Sequence, residues 1–189
     1  MPCALPYQKA STDSLPYWLP SMADAADPLN PHVEHRIELD SYSLSTAVYA
    51  ERADGHILLL QRAEGTAMAG QYFLPGGIVD PGEEPFEAAA RELREESGLE
   101  PHGPLQMVGC YPMFVYGQHM LQRTVRCRVD DADVELSHEH TGQRWADPAE
   151  FAQLFTGDAV RALARGDARI EALLGRIGDD VRRYLALAG

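Results

Sequence analysis

The sequence predicts an α/β (α+β) fold, with one main β-sheet covered by helices. Three observations carry this prediction. Aliphatic and β-branched runs such as "SLSTAVYAE" (43–51) and "HILLLQR" (56–62) read as strands. The segment after "DPGEEP" and the tail from Asp158 to Leu187 carry helical periodicity. Short turns join most strands, which makes their connections antiparallel, and 189 residues suit one domain with a sizeable core.

Residues 1–40 are rich in Pro, Ala, Asp and Ser and show neither period, so they read as an extended N-terminal arm. Its Tyr17, Trp18 and Leu19 suit docking on the body or on a second subunit; a flexible leader is the alternative. The main domain is expected over 41–157. In it, "RADG" with Asp54-Gly55 turns the first two strands into a hairpin. "GTAMAGQYFLPGG" is a glycine-punctuated loop around a short apolar element, Tyr72 to Leu74. A helix follows, with Pro85 in its first turn and Gly98 just past its end. "PLQMVGCYPMFVY" and "HMLQRTVRCRV" are two strands around a turn at Gly117, "SHEHTGQ" a polar loop, "RWAD" a strand end and "PAEFAQLF" a helix. Residues 158–189 form a C-terminal helical extension, expected to break near Gly166 and from Gly175 to Gly178.

A formal net charge of -13 argues against duplex nucleic acid or an anionic membrane as partner. A small phosphate-bearing ligand remains compatible if local Arg or a bound cation overcomes the repulsion. Cys3, Cys110 and Cys127 have no metal-ligand spacing; Cys110 and Cys127 sit in strand-like runs and are expected to pack as small hydrophobes. With no apolar stretch near the ~20 residues of a membrane span and no signal-peptide order at the start, a cytoplasmic location is expected.

The segment "GGIVDPGEEPFEAAARELREESGLE" concentrates acid where like charges repel by a few tenths of a kcal/mol per helical neighbour pair. At ~100° per residue, Glu92, Glu95 and Glu96 share one arc, while Phe86, Ala90 and Leu93 fall nearly opposite and are expected to pack on the sheet. Arg91 stands four residues before Glu95, within reach of its carboxylate, and the "DPGEEP" turn can fold Glu83 back toward the acidic face. Carboxylate oxygens gathered in this way suit a hard cation, Mg²⁺ or Mn²⁺. A solvated acidic face is the competing reading.

Gly77, Glu83, Arg91, Glu92, Leu93, Glu95, Glu96, Gly98 and Leu99 fill every fixed position of the pattern G-x5-E-x7-R-E-U-x-E-E-x-G-U, where U is bulky and aliphatic. The chain thereby resembles the Nudix hydrolases, over roughly Ser43 to Phe155 with the flanks "LLLQR", "YFLPGG" and "EHTGQRWADPAEF". The resemblance implies an α/β/α sandwich around a mixed sheet. It also implies metal-dependent hydrolysis of a nucleoside diphosphate linked to another moiety: ADP-ribose, a nucleotide sugar, a dinucleoside polyphosphate or a nucleoside triphosphate. It further implies Glu92, Glu95 and Glu96 as metal ligands with the Gly76 carbonyl, Arg91 orienting one of them, and Glu83 in support. The general base is a glutamate of the box or Glu139. Arg62 is the first candidate for substrate phosphate and Arg126 a second, whereas His138 and His140 read as bystanders and Trp145 as core. Pro112 and Tyr116 lie near spacings that some relatives use for substrate choice, and neither decides it. Two other classes compete: a nucleotide-sensing Nudix domain without turnover, and an allylic diphosphate isomerase, for which Cys110 lacks a supporting context. Arm and tail are expected to mediate a homodimer.

Overall fold

Strand β1 (Ser43–Glu51) lies inside a six-stranded mixed sheet, between parallel β5 (Gln118–Arg128) and antiparallel β2 (Ile57–Arg62). The order is β3-β2-β1-β5-β4, with β3 (Tyr72–Phe73) on β2, β4 (His102–Val115) at the far edge and β6 (His140–Ala146) also pairing β2. The helices are α1 (Pro85–Ser97), α2 (Pro148–Gln153) and α3 (Ala168–Ala188). This computed structural model describes residues 42–66, 68–115, 118–155, 164 and 166–188. The N-terminal arm and the turn at Gly117 lie outside the described residues.

The hairpin predicted from Asp54-Gly55 opens at once, since β1 and β2 register only at Glu51 and Ile57. The edge of β1 freed in this way is taken by the segment 75–79. Val48 N donates to Pro75 O and Thr46 N to Gly77 O, each at 2.8 Å, and Val79 N donates to Leu44 O at 2.9 Å. Opening the hairpin therefore seats the glycine loop against the middle of the sheet.

Alternation along β1 feeds two cores. Val48 and Ala50 join Leu58, Leu60, Ala89, Leu93, Leu99 and Val125 beneath α1. Tyr49 joins Ile57, Leu59, Phe151, Phe155, Leu174, Val181 and Tyr184 beneath α2 and α3. The architecture is α+β, a mixed sheet between helical layers, as the sequence predicts.

Helix α1 begins at a capping box between Glu84 and Glu87, with Pro85 in its first turn, and ends at Gly98, whose φ of 71° makes the left-handed cap glycine accepts without strain. Its sheet-facing side differs from the predicted one. Ala88, Ala89 and Leu93 are buried, Ala90 is half-buried and Phe86 is 41% exposed, so the face turned to the sheet is the one that carries Ala88 and Ala89, whose small side chains suit close packing.

Three further expectations are corrected. Strand β6 starts at His140 inside the predicted polar loop, recruited by its ladder to β2. Helix α3 runs unbroken through Gly175 and Gly178; an added Cβ at Gly178 would stand 2.9 Å from the Phe155 backbone oxygen, so this glycine serves close packing. Cys110 is exposed, being on the edge strand, while Cys127 is buried with its thiol pushed up to about 12 by burial and by Glu51. The stacked rings of Tyr49 and Tyr184, 4.2 Å apart, bind α3 into the core, and residues 41–189 form one compact unit. Among the described residues no helix is long and apolar enough to cross a membrane.

Candidate active site

Arg91 is the hub of the acidic face. Its Nε donates to Glu83 Oε1 at 2.9 Å and its Nη2 to Glu83 Oε2 and to the Ile78 carbonyl, both at 3.1 Å. Its Nη1 donates to Glu92 Oε1 at 2.9 Å and to Glu95 Oε2 at 3.1 Å. Helical spacing accounts for the Glu95 bond, and the turn at 80–83 brings Glu83 back over the first turns of α1. Arg91, joined by the Asp80 backbone N–H, holds the Glu83 carboxyl below its usual range, and the same acids hold the guanidinium charged.

Glu96 is fixed differently. It is buried, and its Oε2 accepts the backbone N–H of Gly76 at 2.8 Å while Oε1 lies 3.7 Å from His140 Nε2. Burial, together with the charges of Glu92 and Glu139, outweighs the Gly76 bond and pushes this acid up to about 8. Glu92 is also raised, first by burial and further by Glu95 and Glu139, against the opposing pull of Arg91. The glycine pair makes this approach possible. A Cβ on Gly77 would lie 2.5 Å from Glu92 Oε1, and one on Gly76 would collide with the Thr46 carbonyl.

The loop before β6 completes the site. Ser137 N donates to the Glu96 carbonyl at 3.3 Å and Ala63 N to the Glu139 carbonyl at 2.8 Å, which sets the exposed Glu139 within the field of Glu92 and Glu96. His140 is buried and approaches Ser137 Oγ at 3.2 Å; burial and nearby Arg62 depress its pKa against the opposing pull of Glu139. Sequence reasoning passed over His140, whose place depends on the non-local pairing of β6 with β2. Arg62 acts electrostatically on both Glu96 and His140. Arg126 stands elsewhere, donating to Gln106 Oε1 and to the Leu187 carbonyl, each at 3.0 Å. Trp145 packs against the core beneath α1, with Arg52 over its ring at 4.6 Å.

A cleft of about 260 Å³ opens beside these groups. Arg62, Gly76 and Gly77 line it at the acidic side; Phe73, Leu74, Met113, Met120 and Ile177 give it apolar walls. Among the described residues no three His, Cys, Asp or Glu side chains are gathered into a ready-made cation cage. The donor chemistry nevertheless fits a hard divalent cation: the groups are carboxylate oxygens, and two of them are held at raised pKa by burial and mutual repulsion, a cost an added positive charge would offset.

The family model described as NUDIX domain matches residues 41–165. The chain is 36% identical over 110 residues to the bis(5'-nucleosyl)-tetraphosphatase (asymmetrical) of Rattus norvegicus, covering 56% of this chain and 73% of that protein. It is also 36% identical over 109 residues to the CTP pyrophosphohydrolase of Escherichia coli (strain K12), covering 53% of this chain and 73% of the relative. Among solved structures, the MutT protein from Methanosarcina mazei Go1 superposes with a TM-score of 0.54 at 26% identity, over 73% of this chain and 94% of that one.

Proposed function

The chain belongs to the Nudix family and is a hydrolase of phosphoanhydride bonds, and from that premise we propose that it is a divalent-metal-dependent pyrophosphohydrolase acting on a nucleoside diphosphate linked to a second moiety. The observation that carries this reading is the gathering of Glu92, Glu96 and Glu139 within one another's field, Glu96 bonded to Gly76 and Glu92 against Gly77, two glycines that with Arg62 line one cleft.

Glu92, Glu95 and Glu96, with the Gly76 carbonyl, would hold Mg²⁺ or Mn²⁺, which when bound neutralises phosphate charge and lowers the pKa of water. Arg91 orients Glu92 and Glu95, and Glu83 acts on the site through Arg91 as an outer-shell support. Arg62 binds a substrate phosphate oxygen. Glu139, exposed at the rim, accepts the proton of the attacking water as its oxygen bonds to phosphorus and the bridging P–O bond breaks. The products are a nucleoside monophosphate and the phosphorylated second moiety.

The substrate belongs to the class spanned by ADP-ribose, nucleotide sugars, dinucleoside polyphosphates and nucleoside triphosphates. The relatives named for dinucleoside tetraphosphate and CTP support the last two. A phosphate-release screen over these four groups, with Mg²⁺, with Mn²⁺ and with chelator, tests the proposal. Cation-dependent turnover of one group is expected; silence across the screen overturns it. The proposal extends to a cytoplasmic enzyme without a nucleic-acid duplex or membrane as partner, and to a homodimer formed through the arm and the tail. A monomeric mass at micromolar concentration would remove the dimer.

A further inference from the structure

Two arginines of β5 that the acidic site leaves aside, Arg126 and Arg128, line a second cavity of about 300 Å³ at the C-terminal end of β1. It shares no lining residue with the cleft beside Gly76 and Gly77. Glu51, the last residue of β1, lines it at 8% exposure, and Gln106 of β4 and Leu187 of α3 complete its polar lining. The parallel register sets Arg128 beside Glu51, and strand alternation keeps Arg126 and Arg128 on one face.

Arg126 is fixed in place, its Nε donating to Gln106 Oε1 and its Nη1 to the Leu187 carbonyl, each at 3.0 Å. The same Nη1 stands 3.9 Å from Glu51 Oε1, an ion-pair distance beyond hydrogen-bond reach. Among the described residues nothing donates a hydrogen bond to that buried oxygen. A carboxylate oxygen withdrawn from water without a donor is costly, so this one has unfilled acceptor capacity. Leu187 belongs to the last turn of α3, where carbonyls lack intrahelical donors and carry the negative end of the helix dipole. Burial and then the Glu51 carboxylate raise the pKa of the Tyr184 hydroxyl while Arg126 and Arg128 oppose them, so both guanidiniums act in the field of that acid. Arg128 is exposed, and His102, 3.2 Å from Asp130, also lines the cavity.

Neither a plain anion nor a plain amine suits this lining. An anion drawn to Arg128 meets the Glu51 oxygen, and an amine drawn to Glu51 meets two guanidiniums. We propose that the cavity binds a zwitterion of the α-amino-acid class. Its ammonium group donates to Glu51 Oε1 beside the end of α3, and its carboxylate accepts the paired N–H groups of Arg128. A volume at the lower bound of the roughly 300–1,000 Å³ of small-molecule sites suits one amino acid. The site is independent of the hydrolase reading.

Heteronuclear NMR titration of the full chain with each of the standard amino acids tests it. At least one is expected to bind with a Kd of about 1 mM or tighter, shifting the amides of Glu51, Gln106, Arg128 and Leu187 and leaving those of Arg62, Gly76 and Gly77 in place. For the tightest binder, the matching amine without the carboxylate and the matching acid without the amino group should each bind about tenfold or more weakly, the loss of one hydrogen bond to a charged group. Glu51→Gln, which keeps the shape and removes the charge, and Arg128→Gln, at an exposed position, should each weaken binding about tenfold while melting near the wild-type temperature. Silence from every amino acid at about 10 mM overturns the proposal. A fragment with one pole that binds as tightly as the amino acid overturns it too, by making this a plain ion site. So does unchanged affinity in either folded variant, and should Glu51→Gln fail to fold, Arg128→Gln decides alone.

Discussion

Glu95 and Glu96 differ by one position and by almost everything else in their surroundings. Glu95 is more than half exposed and bonded to Arg91, whereas Glu96 is buried, bonded to the Gly76 amide and beside His140. Glu95→Gln and Glu96→Gln are both expected to lower turnover by orders of magnitude, with circular dichroism showing an intact fold; near-full activity in both would remove the metal-shell assignment. Gly77→Ala is expected to push the Glu92 carboxylate aside, since the obstructed atoms are the end of a flexible side chain. Activity should fall about 10- to 100-fold with little change in melting temperature. The raised acid gives a pH prediction. The folded protein holds a proton on Glu96 up to about 8, whereas the unfolded chain releases it near the ordinary carboxylate range, so the fold binds more protons between those limits. In chelator, this contribution to stability is present at low pH and is lost as pH rises toward 8; Asp180, also raised by burial, acts with the same sign. His140, whose pKa is depressed, contributes with the opposite sign, so the decline is read as the difference between thermal melts of the wild-type protein and of Glu96→Gln across that range. The contacts of Arg91 were legible because they arise within one helix and an adjoining turn. His140 was not, because nothing local to "SHEHTGQ" says that its strand will carry it to Glu96.

At the scale of elements, α1 was legible down to both ends because caps are local chemistry, while its packing face, with Ala88 and Ala89 buried in place of Phe86, was not, because it is chosen by contacts with the sheet. Helix α3 was legible as helical and misread as broken, since a glycine that ends a helix and one that admits a neighbour look alike in sequence. The neighbour here is Phe155, just beyond α2. Gly178→Ala places a methyl against its backbone oxygen, which cannot swing away, and is expected to cost about 1–3 kcal/mol of stability by overpacking. Chemical denaturation would measure that loss. The corresponding change at Gly175, where an added Cβ meets nothing within 4 Å, should be neutral or stabilising, as alanine is favoured in helices.

The whole molecule depends on β1 being occupied on both faces and both edges. The tail that sequence reading set outside the main domain supplies Leu174, Val181 and Tyr184 to one of the two cores. A chain ending at residue 167 should therefore lose cooperative unfolding and expose apolar surface, detectable as dye binding and a broadened melt. The mixed class of the sheet could be read from alternating strands and short turns. The parallel pairing of β1 with β5 could not, because it joins segments about seventy residues apart that carry no mark of each other.

The donor that steadies Glu96 belongs to the main chain of Gly76 and not to any side chain. Ordinary missense variation leaves that amide in place, while the Thr46 carbonyl leaves no room for a bulkier residue there. Heritable change can thus remove the acceptor at Glu96 but reach the donor only by deforming the loop that carries it. Replacing the amide by an ester through chemical ligation would remove that proton, while also weakening the Pro75 carbonyl as acceptor for Val48 N.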